Sequence, residues 1–410
     1  MTTRIYASSP EHWNWRIPIS HRQGSRCGRM LLVGGQCDLD RTGNIKNPGR
    51  MAAQVDTAMD NVEKTIAALD GRMEDVVKIG VFFAVGSSDA EEELMRQIRG
   101  RVRGTVPPAI SLVALPRLAY PGLLAFIDAI AIDNTDAGAP RRAAMPGGIW
   151  PWPRGAEFSH GLRCGEYVFL SAQTARDASG TIRFPQDIVS QARMTIENIA
   201  RVLEAAGADL DDVVKLNTWY LGYGTDADWR RAADIRSNAF RFPGPGATGV
   251  PVPSAFPDGG LIRQECWAMR GVGGERLPRS LSWPLDHWDW PMRVSFQQGL
   301  KIGKTIIVGG QVALDSKGRT VHANDMVAQT RAVMDFIKAI LAGFDTSLDS
   351  LVKVSCFYNA TGDAEAALHT CFPMQSRYFG EVGPPVTMIP LDNLGFEGVM
   401  LEIEGVAILD

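Results

Sequence analysis

The sequence lacks a long apolar run, a surplus of basic charge, a Cys-x-x-Cys pair and a glycine-rich phosphate loop. Each absence removes a class of function. No stretch of about 18 apolar residues occurs, so no membrane span is expected. Met1 to Pro10 contain no apolar core of the kind a secretory leader needs. Lys and Arg number 42 against 46 Asp and Glu, a formal net charge of −4. That leaves no basic footprint for nucleic acid and no polybasic membrane patch. The six cysteines include Cys27 and Cys164 at one repeated position, where Ile302 stands in the third instance. A thiol that alternates with Ile behaves as a small buried hydrophobe. His322, His369, Cys356 and Cys371 have no zinc-ligand spacing, and no Gly-x-Ser-x-Gly elbow appears. The expectation is a cytoplasmic protein with no metal, disulfide or cofactor, whose partner is a small molecule rather than nucleic acid or a membrane.

What the sequence does have is itself, three times over. Trp13-Asn14-Trp15, Gly28 and Gly34-Gly35-Gln36 return as Trp150-Pro151-Trp152, Gly165 and Ser171-Ala172-Gln173. They return again as Trp288-Asp289-Trp290, Gly303 and Gly309-Gly310-Gln311. Lys78, Lys215 and Lys353 keep the same offsets of 137 and 138. A period of that length is a domain and not a solenoid unit. We read copies at 1–136, 145–271 and 280–410, separated by Pro- and Gly-rich joints at 136–148 and 271–284.

Each copy carries the same pattern. A strand such as Met30–Val33 runs into the Gly-Gly-Gln motif. A helix follows, with Met51, Val55, Met59, Val62, Ile66 and Leu69 as one apolar stripe. Ile188, Ala192, Ile199 and Leu203 repeat it, as do Val327, Val333, Ile337 and Leu341. A strand from Asp75 to Val85 comes next, then a second helix and two closing strands. The last strands are expected at 123–132, 261–269 and 399–409. Pro373 falls inside the second helix of copy three, which predicts a kink or a late start there. The order hairpin, helix, strand, helix, two strands indicates an α+β sandwich with helices on one sheet face. Three such sheets can cover their bare faces by packing around a pseudo-threefold axis, a trimer within one chain.

Gly-x-Gln after a strand, then a helix, then Asp-Val-Val-Lys, then a closing strand ending in Ile-Ala or Val-Ala resembles the RidA (YjgF) reactive-intermediate deaminase family. The resemblance spans nearly the whole chain in three copies. It implies a chorismate-mutase-like fold, trimeric packing and small-molecule clefts between copies. It further implies cofactor-independent hydrolysis of enamines and imines such as 2-aminoacrylate. The family motif Pro-Ala-Arg-Ser-x-Val holds the substrate carboxylate through its Arg. Here the matching positions are Ile110, Ala247 and Val386, so that fork is missing from all three copies. The family Glu that positions water on the last strand corresponds to Phe126, Arg263 and Glu402. The family pocket Tyr corresponds to His21, Phe158 and Phe296.

These departures set the candidate site. Glu402 is expected to be the catalytic general acid/base, in a cleft lined by Phe296, Val386 and Met388, with its pKa raised by burial. Glu404, on the same strand face, recurs as Asp128 and Glu265 and fits a solvated face or a structural ion pair. Arg263 either replaces the lost anion clamp or pairs with a neighbouring carboxylate. His21 can titrate near neutrality or be structural. Ser171 can bind substrate or close a strand end. The Trp pairs, extended to Glu11-His12 and Asp286-His287, either plug the junction between copies or wall a ligand site. The leading expectation is an enamine or imine hydrolase whose substrate differs from 2-aminoacrylate. The alternatives are a non-catalytic ligand-binding or regulatory protein and a chorismatase-like hydrolase.

Overall fold

The computed structural model describes residues 4–7, 12–84, 88–133 and 141–409; Glu11, Val85 and residues 136–140 of the first joint lie outside them. In copy one the elements are β1 (Arg4–Ala7), β2 (Gly24–Cys27), β3 (Met30–Gln36), α1 (Met51–Ala68), β4 (Val76–Ala84), α2 (Ser88–Arg101), β5 (Ala109–Leu115) and β6 (Ala125–Ile132). Copy two has β7 (Arg141–Ala144), β8 (Gly161–Cys164), β9 (Tyr167–Leu170), α3 (Ile188–Ala205), β10 (Val213–Leu221), α4 (Asp226–Asn238), β11 (Gly246–Val252) and β12 (Ile262–Met269). Copy three has β13 (Arg279–Ser282), β14 (Gly299–Ile302), β15 (Thr305–Val312), α5 (Met326–Ala342), β16 (Leu351–Asn359), α6 (Ala364–Ser376), β17 (Val386–Leu391) and β18 (Leu401–Ile408).

Each copy forms one six-stranded sheet of the same order, β1-β2-β3-β6-β4-β5 in copy one. Only the pair β4–β5 and its two equivalents are parallel, because α2 supplies the crossover that a parallel pair needs. Two expectations change. The joints are not empty linkers: β7 and β13 lie in them and pair with β8 and β14, so the second sheet begins at Arg141 rather than 145. Of the two expectations for the second helix of copy three, a kink or a late start, the late start is not seen: α6 is capped by Asp363 and runs past Pro373 to Ser376.

The long helices bury the predicted stripe, Val55, Met59, Val62 and Ile66 in α1. Asp187 and Asp325 cap α3 and α5 by accepting backbone N–H bonds. Arg50 occupies the same place before α1 with near-identical dihedrals (φ −111°, ψ 83°) and provides no side-chain cap.

The opposite sheet faces meet one another. Leu32, Val77 and Ile130 of copy one join Phe169, Val214 and Trp267 of copy two and Ile307, Val352 and Val406 of copy three in one buried cluster. Cys27, Cys164 and Ile302 sit in it as interchangeable hydrophobes. A bulge at Val76/Lys78, repeated at Val213/Lys215 and Leu351/Lys353, re-aims each lysine. Lys78 pairs with Glu265 at 2.6 Å, Lys215 with Glu404 at 2.6 Å and Lys353 with Asp128 at 2.7 Å. Every lysine therefore meets the acid of the next copy, and the third pair closes the ring back to copy one. For Glu265, burial pushes the carboxyl up, but Lys78 and Ser111 outweigh it and hold it low. Such buried pairs add little net stability, yet a broken one costs about 3–5 kcal/mol, so they select one mutual register.

Candidate functional site

The pseudo-threefold arrangement creates three equivalent junctions. In each, the fifth strand and second helix of one copy face the Trp pair, the Gly-Gly-Gln turn and the last strand of the next. The Trp spacing now has a cause. Trp13 Nε1 donates to Gln36 Oε1 at 3.0 Å, and Trp288 Nε1 to Gln311 Oε1 at 2.9 Å. The second ring of each pair packs edge-on against the first, 5.0 Å away in Trp13–Trp15 and 4.8 Å in Trp288–Trp290. These segments are loops, not strands.

The junction of copies three and one is filled by rings. Phe126, at the family Glu position, occupies the space beside Gly35 so closely that a Cβ there would sit 1.9 Å from it. Trp15 lies 6.0 Å from Phe126 and 5.1 Å from Phe372. His21 is wedged 5.0 Å from Phe372 and 5.1 Å from Phe379, with Nδ1 2.7 Å from the Pro384 carbonyl. Burial pushes its pKa down to about 4, against the smaller upward pull of that bond. His21 is therefore neutral at physiological pH, which fits the structural one of the two roles considered for it. Val386 belongs here too, its backbone against Gly34. Val386 and Met388, on β17, share a buried cluster with Phe126 and Phe372 and do not line the Glu402 cleft. Sequence order alone had grouped them with Glu402; the exchange of partners between copies separates them.

At the junction of copies one and two the charges pair with one another. Arg263 donates to Glu91 Oε1 at 2.7 Å and Oε2 at 3.1 Å, and to the Leu112 carbonyl at 2.9 Å. Asp258 stands 3.2 Å away, and the Phe256 ring lies 4.4 Å below. Burial opposes the charge of Arg263, but the two carboxylates overcome it and raise its pKa. With both carboxylates already on the guanidinium, Arg263 is a lock and not an open anion clamp. Ser171 is likewise occupied: its hydroxyl donates to the Ser159 carbonyl at 2.6 Å and accepts from Ile110 N–H at 2.8 Å. It closes a strand end across the junction, in place of the substrate contact considered above.

The junction of copies two and three is different. Glu402 and Phe296 line it from copy three, with Trp288, Trp290, Gly310 and Phe396; Trp229, Arg236, Ala247 and Gly249 line it from copy two. The free space in it is small, about 20 Å³, room for about one water molecule. Glu402 is 6% exposed. Burial pushes its pKa up to about 8, and the charge of Glu404 adds to this. The Gly249 backbone hydrogen bond and the charges of Arg236 and Lys215 pull the other way and do not prevail. Glu402 and Glu404 do share a strand face, but it is buried: Glu402 enters the cleft while Glu404 joins the axial ring.

Arg236 and Gly249 were not singled out in the sequence. Both left a trace. Trp229, Ala233 and Arg236 stand at i, i+4 and i+7 on α4, so a guanidinium occupies the buried stripe of a helix. Gly249 occupies the strand position held by Leu112 and Met388 in the sister copies, by the registers Gly80–Ser111, Asn217–Thr248 and Ser355–Thr387 one residue earlier.

A family model described as Endoribonuclease L-PSP matches residues 19–133, 153–258 and 291–409, most of the chain in three segments. The chain belongs to this family. In RidA/YjgF terms it holds three tandem members. A RutC family protein of Pyrococcus abyssi is 31% identical over 112 residues, 27% of this chain and 84% of that protein. A protein of Capra hircus named 2-iminobutanoate/2-iminopropanoate deaminase is 26% identical over 129 residues, 32% of this chain and 87% of its own length. Among solved structures, RidA from an Antarctic Psychrobacter is 26% identical and covers 31% of this chain and 99% of its own, with a TM-score of 0.28. Some RidA relatives are thus named imine deaminases. Among the described residues, no helix is long and apolar enough to cross a membrane.

Proposed function

We propose that the protein hydrolyses an imine or enamine in the cleft between copies two and three, with Glu402 as general acid/base. The observation that carries this reading is a buried carboxyl, its pKa pushed up to about 8, that lines a narrow cleft between two copies. A group poised near the working pH can both give and take a proton. Protonated Glu402 delivers its proton to the substrate nitrogen or, for an enamine, to the carbon. The resulting carboxylate accepts a proton from the water that attacks the C=N carbon. The carbinolamine then collapses to a carbonyl compound and ammonia. Atoms balance as imine plus water giving ketone plus ammonia, and no redox partner is needed. Family membership and the names of the imine-deaminase relatives support the reaction class.

The test is ammonia release from imines generated in situ by an amino-acid oxidase, comparing wild type with Glu402→Gln. Acceleration by wild type and its loss in the variant support the proposal. No acceleration with apolar, aromatic or acidic imines overturns it. A non-catalytic ligand-binding role is the second reading. It is favoured by the two junctions that fill themselves with Phe126 and with the Arg263–Glu91 pair.

A further inference from the structure

We propose that the indole of Trp290 holds the place of a flat aromatic group in the Glu402 cleft, and that an aromatic imine or enamine enters when this indole swings out onto Trp283. The proposal rests on the reading of that cleft as the active site, and it concerns which molecule enters and by what route.

The need for a moving part comes from size. The free space beside Glu402 is about 20 Å³, room for about one water molecule. An imine with a side chain is larger than a water, so a lining group has to leave before a substrate reaches the carboxyl. Most of the lining is fixed. Trp229, Arg236, Trp288, Phe296 and Val312 are buried, and Trp288 is bonded through Nε1 to Gln311. Two large side chains of the lining are only partly buried, Trp290 and Phe396. Phe396 rests on Trp229 with ring centroids 5.7 Å apart, and its carbonyl accepts the Val399 N–H. Trp290 stands on a segment without regular structure. Its backbone N–H turns to the adjacent Asp289 carboxylate at 2.7 Å.

Trp15, at the same repeat position, shows what a fixed ring requires. It meets the rings of Trp13, Tyr120, Phe126 and Phe372. Its segment is tied down by Asn14, which donates to the Arg41 carbonyl at 3.0 Å, and by Arg16, which donates to the Gly43 carbonyl at 2.9 Å and to Glu365 at 2.8 Å. Asp289 and Pro291 stand at the places of Asn14 and Arg16. A carboxylate and a proline have no such donors to give. The segment of copy three is held instead by Arg230, which donates to the Pro291 carbonyl at 3.1 Å, and by a long backbone bond from Asp289 to Asp315 at 3.4 Å. The same ring is thus clamped in copy one and loosely tied in copy three.

The displaced indole has a place to go. Trp283 stands edge-on to Trp290 with ring centroids 5.7 Å apart and is 42% exposed. Leu285, two residues on, is 93% exposed. An indole moved onto this apolar shelf keeps part of its area away from water. The place it vacates lies between Trp288, 4.8 Å away, and Phe296, 6.4 Å away, on the lining shared with Glu402. Rings on both sides fit a flat aromatic body up to the size of an indole.

The test uses free indole, an unreactive molecule of the displaced shape, titrated calorimetrically into the full chain. Wild type should bind it. Trp290→Ala, which leaves the place vacant, should bind it at least about tenfold tighter, and Trp283→Ala, which removes the shelf, at least about threefold more weakly than wild type. In the double variant the Trp283 effect should vanish, since no side chain is left to displace. Trp290→Phe, which keeps most of the packing, should fall between wild type and Trp290→Ala even if the Ala variant folds poorly. No binding by wild type, Trp290 variants that bind no tighter, or undiminished binding in Trp283→Ala overturns the proposal. Indole binding with this dependence on Trp283, without hydrolysis of any imine, would sink the enzymatic reading and leave the displacement standing. Hydrolysis of imines by a wild type that binds no indole would do the reverse.

Discussion

Two junctions of this molecule are built from the same parts and behave in opposite ways. Between copies one and two, the last strand presents Arg263, and Glu91 from the facing helix closes on it. Between copies two and three, the same strand position presents Glu402, and the facing helix presents Arg236. A carboxyl group and a guanidinium face one another across both junctions, with their sides exchanged. The outcome differs because of numbers and room. Arg263 meets two carboxylates and the Leu112 carbonyl within 3.2 Å, and the Leu112 side chain stands where Gly249 leaves a gap. Glu402 has the charges of Arg236 and Lys215 near it, a second carboxylate behind it and two glycines beside it. One junction satisfies its charges internally; the other keeps a perturbed acid. A fused trimer allows this, since each junction can change without the other two.

That contrast can be broken or sharpened by experiment. The largest effect is expected from Glu402→Gln, which should lower the ammonia-release rate by roughly 10²–10⁴-fold. Glu91→Ala should leave imine hydrolysis in the distant cleft unchanged but cost about 3 kcal/mol of stability, because Arg263 loses its bidentate partner in a buried setting. Urea denaturation measures it, and a loss under about 0.5 kcal/mol would show the lock to be ornamental.

A pH series separates the two junctions next. The folded pKa of Glu402, about 8, lies above the ordinary value of 4.5. Between these values the native state holds a proton that the unfolded chain has released. The favourable contribution is therefore complete below pH 4.5 and is lost as pH rises to about 8. Stability of wild type relative to Glu402→Gln should fall over that window by at most about 1.4 kcal/mol per pH unit. A flat difference would mean that the carboxyl is not buried as described. The smallest effect concerns α1. Arg50→Asp should raise stability by about 1 kcal/mol by supplying the cap that Asp187 and Asp325 already provide. Thermal melts check it, and no gain would show that the Arg50 backbone is not capping-competent despite its matching dihedrals.

Much of the fold was legible in the chain because it was written three times. One apolar stripe could be coincidence; three at offsets of 137 and 138 could not. The edge strands β1, β7 and β13 were missed, since four residues with alternating burial look like any joint. The candidate site was legible only in part. Glu402 and Phe296 were recognisable by repeat position and do share a cleft. Val386 and Met388 were assigned to it from their own copy, whereas the facing wall comes from the preceding copy and consists of Ala247 and Gly249. Arg263, His21 and Ser171 were chosen by repeat position, and each meets a partner from another copy: Glu91, the Pro384 carbonyl and the Ile110 N–H.

The sequence by itself determined the number of copies, the class of sheet and the loss of the family Arg, because periodicity and local pattern are properties of one segment. Only the tertiary structure decided which junction pairs its charges and which holds a perturbed acid. That depends on which side chain of one copy faces which side chain of the next, and on how much water their packing removes. Glu402 has its pKa pushed up to about 8 because the packing of copy two on copy three buries it and Glu404 stands behind it, which together outweigh the Gly249 backbone hydrogen bond and the charge of Arg236, and no reading of the segment Leu401–Ile403 contains that information.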